Sequence, residues 1–386
     1  MSGNSGESTG GAGGGDGGGG VSGDRRSGRD GSGLGRPAAS GAKLHIVRFA
    51  PAKLNLTLAV VGNRNDGYHA LHSIFVRLSL GDALTVSTAS IGASRDSLRV
   101  TGLTIPTVGD NLVLKAIAAA RSAVVAAGTG LPELAPLLSA RLSKRIPVAA
   151  GLGGGSSDAA AAIGAALAMW RVNLDAAALA GLAASLGSDV PFFLAPSVAL
   201  ITGRGEFVEP LPDIAGEPPA VLLVTPQLPL ATAAVFKAYA QGSHQADEEL
   251  ALTVSERLAV EMRSGISSAS LLAQAADLAA ANDLRRAAFA LAPGLRGFVT
   301  ALEKVVERPV CQSGSGPTLW ALYKTLAEAR KAARFVRLAV VDGKLPLIGV
   351  GEPFIAATTI AGRLNPPVPQ AMDELAGAIG PRAVHN

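Results

Sequence analysis

The segment at residues 147–157, PVAAGLGGGSS, restricts the fold more than any other, because it places four glycines within five residues before an alanine-rich run. Glycine loses more backbone freedom on folding than any other residue, so such a run indicates a close approach to the backbone. The alanine-rich run predicts a helix that ends near Trp170. First-turn N–H groups have no partner within a helix, and the helix dipole adds positive charge there. The segment therefore predicts a loop that binds nucleotide phosphates.

The two serines that end this loop, Ser156 and Ser157, are expected to cap the helix and to donate to phosphate oxygens. The loop is not a Walker A motif, because the only Gly-Lys pair, Gly343-Lys344, is followed by Leu345. It is not a Rossmann motif either, because Ser156 stands where a third glycine is required. An ordinary tight turn between a strand and a helix remains the alternative.

Bulk composition favours two domains and a small-molecule ligand. The chain has 386 residues, 48% of them apolar, and a net charge of only +4 without a basic block, so we expect no nucleic-acid partner. Its single cysteine, Cys311, permits no intrachain disulfide, and the chain shows no cysteine spacing typical of a zinc site. No apolar signal segment begins the chain, and the long uncharged stretch 218–236 contains four prolines. We therefore expect a cytoplasmic protein without a membrane segment.

The ends of the chain differ from its middle. Glycine makes up 17 of the first 41 residues, so 1–41 is predicted to be a disordered Gly/Ser-rich tail, and the proline-containing 363–386 a weakly ordered one. Between them, mixed strand and helix patterns predict two α+β lobes, with domains at 42–212 and 218–362.

Local patterns predict the individual elements. Strands are expected at 43–49 and 54–61 around a break at Pro51, and at 71–80 and 83–86 around a turn at Gly81-Asp82. Further strands are expected at 138–145 and 220–225. Helices are expected at 111–127, capped by Asp110 or Asn111, and at 175–186, and a strand-helix unit at 318–334.

Two charged residues lie within apolar sequence. In a strand, Lys53 and Asn55 project to one side while Leu54 projects to the other, which indicates either a functional face or a solvated edge strand. Asp189 precedes the apolar run 192–194, interpreted here as a strand. A carboxylate entering such an element needs a partner, although a turn aspartate bound by backbone N–H groups is the alternative.

The segment PxxxGLGGGSS resembles the ATP-binding motif of the GHMP kinase superfamily. Other segments resemble the members of that superfamily whose substrate is a diphosphocytidyl ester of methylerythritol. These segments are PAKLN at 51–55, DGYH at 66–69, GSDVPF at 187–192, GRGE at 203–206 and SGSGP at 313–317. The likeness covers about residues 44–360, and Ala149 and Ala150 replace glycines that are frequent in the family.

The resemblance implies a two-lobed α+β GHMP kinase fold, with a ribosomal protein S5 domain 2-like N-terminal lobe and a ferredoxin-like C-terminal lobe. It also implies ATP as phosphate donor, with Mg²⁺ expected, and transfer to the 2-hydroxyl of the ester, giving the 2-phosphate and ADP on the methylerythritol phosphate route to isopentenyl diphosphate. We expect small-molecule partners only, and a monomer or weak homodimer.

The resemblance also implies the roles of individual residues. Lys53 and Asp189 would be catalytic, and Asn111 would lie near the adenine. The ATP loop would comprise Pro147, Val148, Ala149, Ala150, Gly151, Leu152, Gly153, Gly154, Gly155, Ser156 and Ser157, with Ser156 or Ser157 as a candidate metal ligand. Substrate would contact Asn55, Tyr68, His69, Thr232, Phe236, Ser313 and Gly314.

In this assignment Tyr68 and Phe236 stack on the cytosine, His69 hydrogen-bonds to it, and Asn55 and Thr232 contact the ester or its phosphates. Taken without the family, Tyr68 and Phe236 would be core residues, and 313–317 a hairpin turn. Two other functions remain open. They are a different GHMP kinase, of the homoserine or mevalonate type, and a catalytically inactive GHMP protein that binds nucleotide.

Overall fold

The computed structural model describes residues 44–64, 67–103, 111–128, 135–195, 197–242 and 245–362. The two predicted tails, Asp66 and the alternative helix cap Asp110 lie outside these ranges.

A seven-stranded sheet occupies the first half of the described chain. Its strands are β1 (His45–Asn55), β2 (Ala59–Asn63), β3 (His69–Thr88), β4 (Ser97–Gly102), β5 (Leu138–Lys144), β6 (Val198–Gly203) and β7 (Phe207–Pro210). The order is β4-β5-β3-β6-β7, and β1 and β2 also pair with β3. Only β4 and β5 are parallel. The 20-residue β3 therefore organises this sheet.

A second sheet of four antiparallel strands follows. Its strands are β8 (Ala220–Thr225), β9 (Cys311–Gln312), β10 (Leu319–Tyr323) and β11 (Phe354–Thr359), in the order β11-β8-β10-β9. Each sheet comes from one continuous segment, and the chain passes between them from Pro210 to Ala220. This confirms a two-lobed α+β architecture, while the exact domain bounds stay a prediction.

Helices cover both sheets. They are α1 (Leu112–Ala126), α2 (Gly154–Trp170), α3 (Ala176–Leu186), α4 (Val190–Leu194), α5 (Thr232–Ala240), α6 (Gln245–Arg263), α7 (Ser268–Ala273), α8 (Ala275–Ala280), α9 (Leu284–Leu291), α10 (Pro293–Val306) and α11 (Leu326–Val341). Among the helices of the described residues, none combines the length and apolar character needed to span a membrane.

Three apolar clusters hold these layers together. The first joins the seven-stranded sheet to α1–α4, and the second joins the four-stranded sheet to α5, α9, α10 and α11. The third contains residues of both sheets, including Leu54 of β1 and Leu223 of β8. Because Leu222 of β8 belongs to the second cluster and Leu223 to the third, β8 is buried on both faces.

Several local predictions are confirmed. Helix α1 is capped by Asn111, whose side chain accepts from the Val113 amide at 2.9 Å, and α3 is capped by Asp175. Helix α2 ends at Trp170, and β5 and β8 lie where the pattern predicts them. These elements carry clear caps or regular apolar periods, which are the local signals that sequence reasoning reads best.

Three predictions are wrong. Strand β1 continues through Pro51, because a register shift between Pro51 and Lys53 accommodates a residue without an N–H donor. The residues after Asp189 form the short helix α4, which Pro191 favours by its place in the first turn. Strand β3 continues through Gly81-Asp82, where a Cβ on Gly81 would lie 2.6 Å from the Ala50 carbonyl oxygen.

Asp82 can be buried in the strand because both oxygens of its carboxylate accept hydrogen bonds. It accepts from the amides of Arg145 and Ile146, the latter at 2.9 Å, and from the ammonium of Lys144. Lys144 also bonds Asp158 at 2.8 Å. Burial raises the pKa of Asp158 to about 7, with Lys144 opposing the rise and Asp82 adding to it. One buried cation thus serves two buried carboxylates.

Because one cation serves two carboxylates, substituting the cation and substituting a carboxylate should have opposite effects on stability. Lys144→Met leaves two carboxylates without a cation and should cost about 3–5 kcal/mol of unfolding free energy. Asp158→Asn leaves a balanced Lys144–Asp82 pair. Since a raised carboxyl pKa means that ionisation opposes folding, wild-type stability falls as pH rises towards and through about 7.

The stability of Asp158→Asn relative to wild type should therefore increase between about pH 5 and about pH 8. Urea unfolding at both pH values measures it. A difference that does not change with pH would contradict this account of the cluster.

Candidate active site

A cavity of about 1020 Å³ gathers most of the residues singled out from the sequence. Its lining includes Lys53, Asn55, Tyr68, His69, Asn111, Pro147, Val148, Ala149, Ala150, Gly151, Gly153, Gly154, Gly155, Ser156, Asp189, Thr232, Phe236 and Gly314. Leu152, Ser157 and Ser313 belong to the same loops but are buried behind this surface. Residues separated by more than 250 positions in sequence thus meet at one cavity.

The glycine-rich loop leaves the first turn of α2 open to an anion. Residues 154–156 would normally donate to the carbonyls of Ala150, Gly151 and Leu152 if the helix extended backwards. Those three carbonyls instead accept from Thr318 N, Ser313 Oγ and Lys53 N, at 3.2, 2.9 and 2.9 Å. The first-turn amides are therefore available to phosphate oxygens.

The predicted capping by Ser156 and Ser157 is wrong. Helix α2 begins at Gly154, so both serines lie inside its first turn, and the N-cap is Gly153 with φ of 66° and no side-chain cap. A Cβ on Gly153 would lie 2.9 Å from Lys53 Cγ and 2.9 Å from Phe193 Cζ. This glycine is therefore needed both for its positive φ and for the close approach of Lys53.

Lys53 is a buried cation, with only 4% of its surface exposed, which excludes the solvated edge strand. Its ammonium lies 3.5 Å from Asp189, 2.7 Å from Asn55 Oδ1 and 4.3 Å from the centre of the Phe75 ring. Burial lowers the pKa of Lys53, and the Asp189 charge partly restores it. The carboxylate of Asp189 caps no helix and its side chain is 31% exposed, so it can reach both Lys53 and a ligand.

The hydroxyl of Ser73 fixes the orientation of Asn55. Ser73 Oγ donates its single hydrogen to the Thr57 carbonyl, so it must accept the contact from Asn55 Nδ2 at 3.0 Å. Asn55 Oδ1 then points at the Lys53 ammonium, which only donates. The network therefore holds Lys53 without supplying a second negative charge.

The second glycine-rich loop, 313–316, is tied to the first. Ser313 Oγ donates to the Gly151 carbonyl at 2.9 Å, and Asn282 Nδ2 donates to the carbonyls of Gln312 and Gly314 at 3.0 Å each. Ser315 Oγ lies 3.0 Å from Thr232 Oγ1 at the start of α5. A plain hairpin turn therefore does not fully describe this loop, because the loop also forms part of the cavity wall.

An aromatic wall lies opposite the phosphate loop. His69 stacks on Phe236 with ring centres 5.3 Å apart, and its buried Nε2 has no hydrogen-bond partner among the described residues. Tyr68 is 52% exposed and lies 5.1 Å from the Arg204 guanidinium. The structure thus groups Tyr68, His69 and Phe236, but it pairs Phe236 with His69. The predicted Tyr68–Phe236 stacking on cytosine stays a prediction.

Four charged residues line the cavity without having been predicted as site residues: Lys144, Asp158, Arg204 and Lys237. Arg204 belongs to the GRGE segment, which was noted without a role for its arginine. Lys144 ends a strand just before the loop, and Asp158 follows the serines, so both had a positional signal. Lys237 adjoins Phe236 on α5 but belongs to no motif, so no local signal distinguishes it from other surface lysines.

Comparison with known proteins agrees with this geometry. The family model of the GHMP kinases N terminal domain matches residues 111–196. The 4-diphosphocytidyl-2-C-methyl-D-erythritol kinase of Paramagnetospirillum magneticum is 41% identical over 288 residues, which are 74% of this chain and 91% of the relative.

Solved structures agree as well. A crystal structure of 4-(cytidine 5'-diphospho)-2C-methyl-D-erythritol kinase is 30% identical, with a TM-score of 0.57 over 81% of this chain and 99% of that chain. Homoserine kinase from Cytophaga hutchinsonii has a TM-score of 0.58 at 15% identity, over 85% of this chain and 98% of that one, and so shares the fold alone. The chain therefore belongs to the 4-diphosphocytidyl-2-C-methyl-D-erythritol kinase family of the GHMP kinases.

Proposed function

We propose that the protein transfers the γ-phosphoryl group of ATP to the 2-hydroxyl of 4-diphosphocytidyl-2-C-methyl-D-erythritol, giving the 2-phosphate and ADP. The observation that carries this proposal is the Lys53–Asp189 pair in the same cavity as the open first turn of α2. A phosphoryl-transfer enzyme needs these two parts together, since it must hold the phosphates and position the attacking hydroxyl. The product lies on the methylerythritol phosphate route to isopentenyl diphosphate.

GHMP kinases use ATP as phosphate donor, and the open first turn of α2 suits its phosphates. Amides of 154–156 would bind phosphate oxygens, assisted by the helix dipole. Ser156 borders the cavity and can donate to them, whereas the Ser157 hydroxyl is buried without a hydrogen-bond partner among the described residues. Asn111 also lines the cavity, and the adenine is expected near it.

A magnesium ion that accompanies ATP also fits the start of α2. Asp158 borders the cavity, and its Oδ1 is buried without a hydrogen-bond partner among the described residues. Carboxylate and hydroxyl oxygens suit Mg²⁺, so Asp158 and Ser156 are the residues that would hold it. When bound, the ion would neutralise charge on the phosphates.

Asp189 is the proposed general base. Its carboxylate accepts the proton of the 2-hydroxyl as that oxygen bonds to the γ-phosphorus, while the bond from the γ-phosphorus to the β,γ-bridging oxygen breaks and ADP leaves with the electron pair. Lys53, held by Asn55, lies 3.5 Å from Asp189 and orients its carboxylate towards the hydroxyl.

The ester is proposed to bind along the aromatic wall. Tyr68 and Phe236 offer ring faces to the cytosine, and His69 Nε2 offers a hydrogen-bonding atom without a present partner among the described residues. Arg204 and Lys237 border the same part of the cavity and suit the diphosphate. Asn55, Thr232 and Gly314 border the cavity and remain proposed substrate contacts, whereas Ser313, also predicted as a contact, is buried behind the cavity surface. The cytoplasmic location and the monomer or weak homodimer also stay predictions.

An ATP-consumption assay tests the whole proposal. Turnover should require the cytidyl ester, with mevalonate and homoserine inactive. Turnover of either of those instead would favour another GHMP kinase. Binding of ATP without turnover of any of the three would favour an inactive nucleotide-binding protein.

Asp189→Asn should lower kcat by about 10²- to 10⁴-fold, because the amide cannot accept the proton. The KM for ATP should change little, since the phosphate loop is untouched. Asp175→Asn is the matched control, because Asp175 caps α3 and does not border the cavity. Near-normal kcat in folded Asp189→Asn would refute the assignment of the base.

The pH dependence of kcat should report the loss of the proton from the Lys53 ammonium. Burial lowers its pKa below the ordinary 10.5, so the active ammonium should lose its proton, and kcat should fall, at an alkaline pH below that value. Lys53→Arg should lower kcat but remove this alkaline decline, because a guanidinium stays protonated. An unchanged decline in Lys53→Arg would assign it to another group.

Phe236→Ala should raise the KM for the ester, because base–aromatic stacking is worth about 1–3 kcal/mol, which corresponds to roughly 5- to 150-fold in affinity. The KM for ATP should stay the same. Phe289→Ala on α9 is the control, since Phe289 lies outside the cavity lining. Equal KM values for the ester in the two variants would argue against stacking at Phe236.

A further inference from the structure

Arg77 on β3 is a buried charged residue. Among the described residues, no carboxylate lies within ion-pair distance of its guanidinium. Burial lowers the pKa of Arg77 to about 10, and its buried Nε finds no hydrogen-bond partner in the part of the chain that the structure describes. Placing a cation there is costly, so its contacts need an explanation.

The hydrogen bonds of the Arg77 guanidinium go to carbonyls of α4 and of its C-cap residue. Nη2 donates to the carbonyl of Phe192 at 3.0 Å and to that of Ala195, and the guanidinium carbon lies 5.5 Å from the centre of the Phe192 ring. The last carbonyls of a helix have no partner within it and carry partial negative charge. Arg77 therefore acts as a cationic cap for this helix.

Helix α4 also begins at the proposed base. It spans Val190–Leu194, only five residues, and Asp189 precedes it. A helix of this length has almost no stability of its own, so its position is set by the groups that hold it. Displacing its C-terminal end would therefore also move Asp189.

Strand pairing places the two cations side by side. Lys53 on β1 is the direct partner of Arg77 on β3, and directly paired residues project from the same face of a sheet. Lys53 contacts Asp189 before the helix, at 3.5 Å, and Arg77 binds the carbonyls at its far end. Neighbouring positions of the sheet thus hold both ends of α4.

We propose that Arg77 is a positioning residue, which fixes α4 so that Asp189 stays within reach of Lys53 and of the acceptor hydroxyl. The inference rests on the proposed kinase activity, but its structural half, the anchoring of α4, can be tested without turnover. The competing explanation is a purely structural role, because the Arg77 backbone also pairs with Ser197 and Ala361.

Kinetics of the full-length chain separate these explanations. A misplacement of about 1 Å can cost about 10²-fold in rate, so Arg77→Met should lower kcat by about 10- to 100-fold while the KM for ATP stays within about twofold. Arg77→Lys keeps a cation that can reach a carbonyl, so its kcat should fall between those of wild type and Arg77→Met. If Arg77→Met does not fold, the kcat of Arg77→Lys decides, and a wild-type value overturns the proposal.

Arg121→Met is the matched control. Like Arg77, Arg121 donates to backbone carbonyls, those of Ala135 and Pro136, and lies near an aromatic ring, 4.9 Å from the centre of Trp170. It differs in also pairing with Asp96 at 2.7 Å, and none of these contacts involves α4. The Arg121→Met variant should be less stable than wild type, and its kcat should stay within about twofold of the wild-type value. An equal loss of kcat in the Met variants of both arginines would support the structural role and overturn positioning.

Hydrogen exchange provides the readout that does not depend on activity. The amides of Val190 and of residues 192–195 should exchange faster in Arg77→Met than in wild type or Arg121→Met, because local opening of α4 becomes easier. Unchanged exchange there overturns the inference whatever the kinetics. If wild type fails to phosphorylate the ester, the proposed function fails, while exchange still decides whether Arg77 anchors α4.

Discussion

The candidate site depends on three backbone carbonyls in the glycine-rich loop. The carbonyls of Ala150, Gly151 and Leu152 accept hydrogen bonds from three other segments. The donors lie directly before β10 (Thr318), in the second glycine-rich loop (Ser313) and in β1 (Lys53). These bonds join both sheets at the loop, and they also prevent α2 from extending backwards. The same contacts that hold the lobes together thus leave the first-turn amides of α2 facing the cavity. The proposed anion binding would in this sense be a consequence of how the sheets meet.

Two cations of the sheet, Lys53 and Arg77, are held largely by neutral groups, whereas Lys144 is held by two carboxylates. Lys53 has one carboxylate nearby, and its closest contact is the amide oxygen of Asn55, oriented through Ser73. Arg77 has carbonyl oxygens only. Neutral acceptors position a cation without cancelling its charge, so the field of Lys53 and Arg77 still acts on the start and end of α4.

The sequence was sufficient where a signal was local. The phosphate loop, the Asn111 cap and the periods of α2 and β8 could each be read within about 15 residues. Pro51, Gly81 and Asp82 misled the prediction because their usual meaning is a turn, whereas here a bulge, a neighbouring carbonyl and a buried lysine determine their conformation. Such partners lie far away in sequence, and a single chain read locally does not reveal them.

Family resemblance predicted which residues form the site. Only the structure shows which of their charged groups are free to bind a ligand. Lys144 is bound by two carboxylates and Lys53 lies beside Asp189, so neither is a free cation for a ligand. Arg204 and Lys237 border the cavity with no carboxylate partner among the described residues. In the proposed function, the phosphates nearest α2 would therefore depend mainly on backbone amides, and the side-chain cations Arg204 and Lys237 would serve a second anionic group at the aromatic wall. Two separate anion sites, one built from the backbone and one from side chains, would suit a kinase whose acceptor itself carries phosphates.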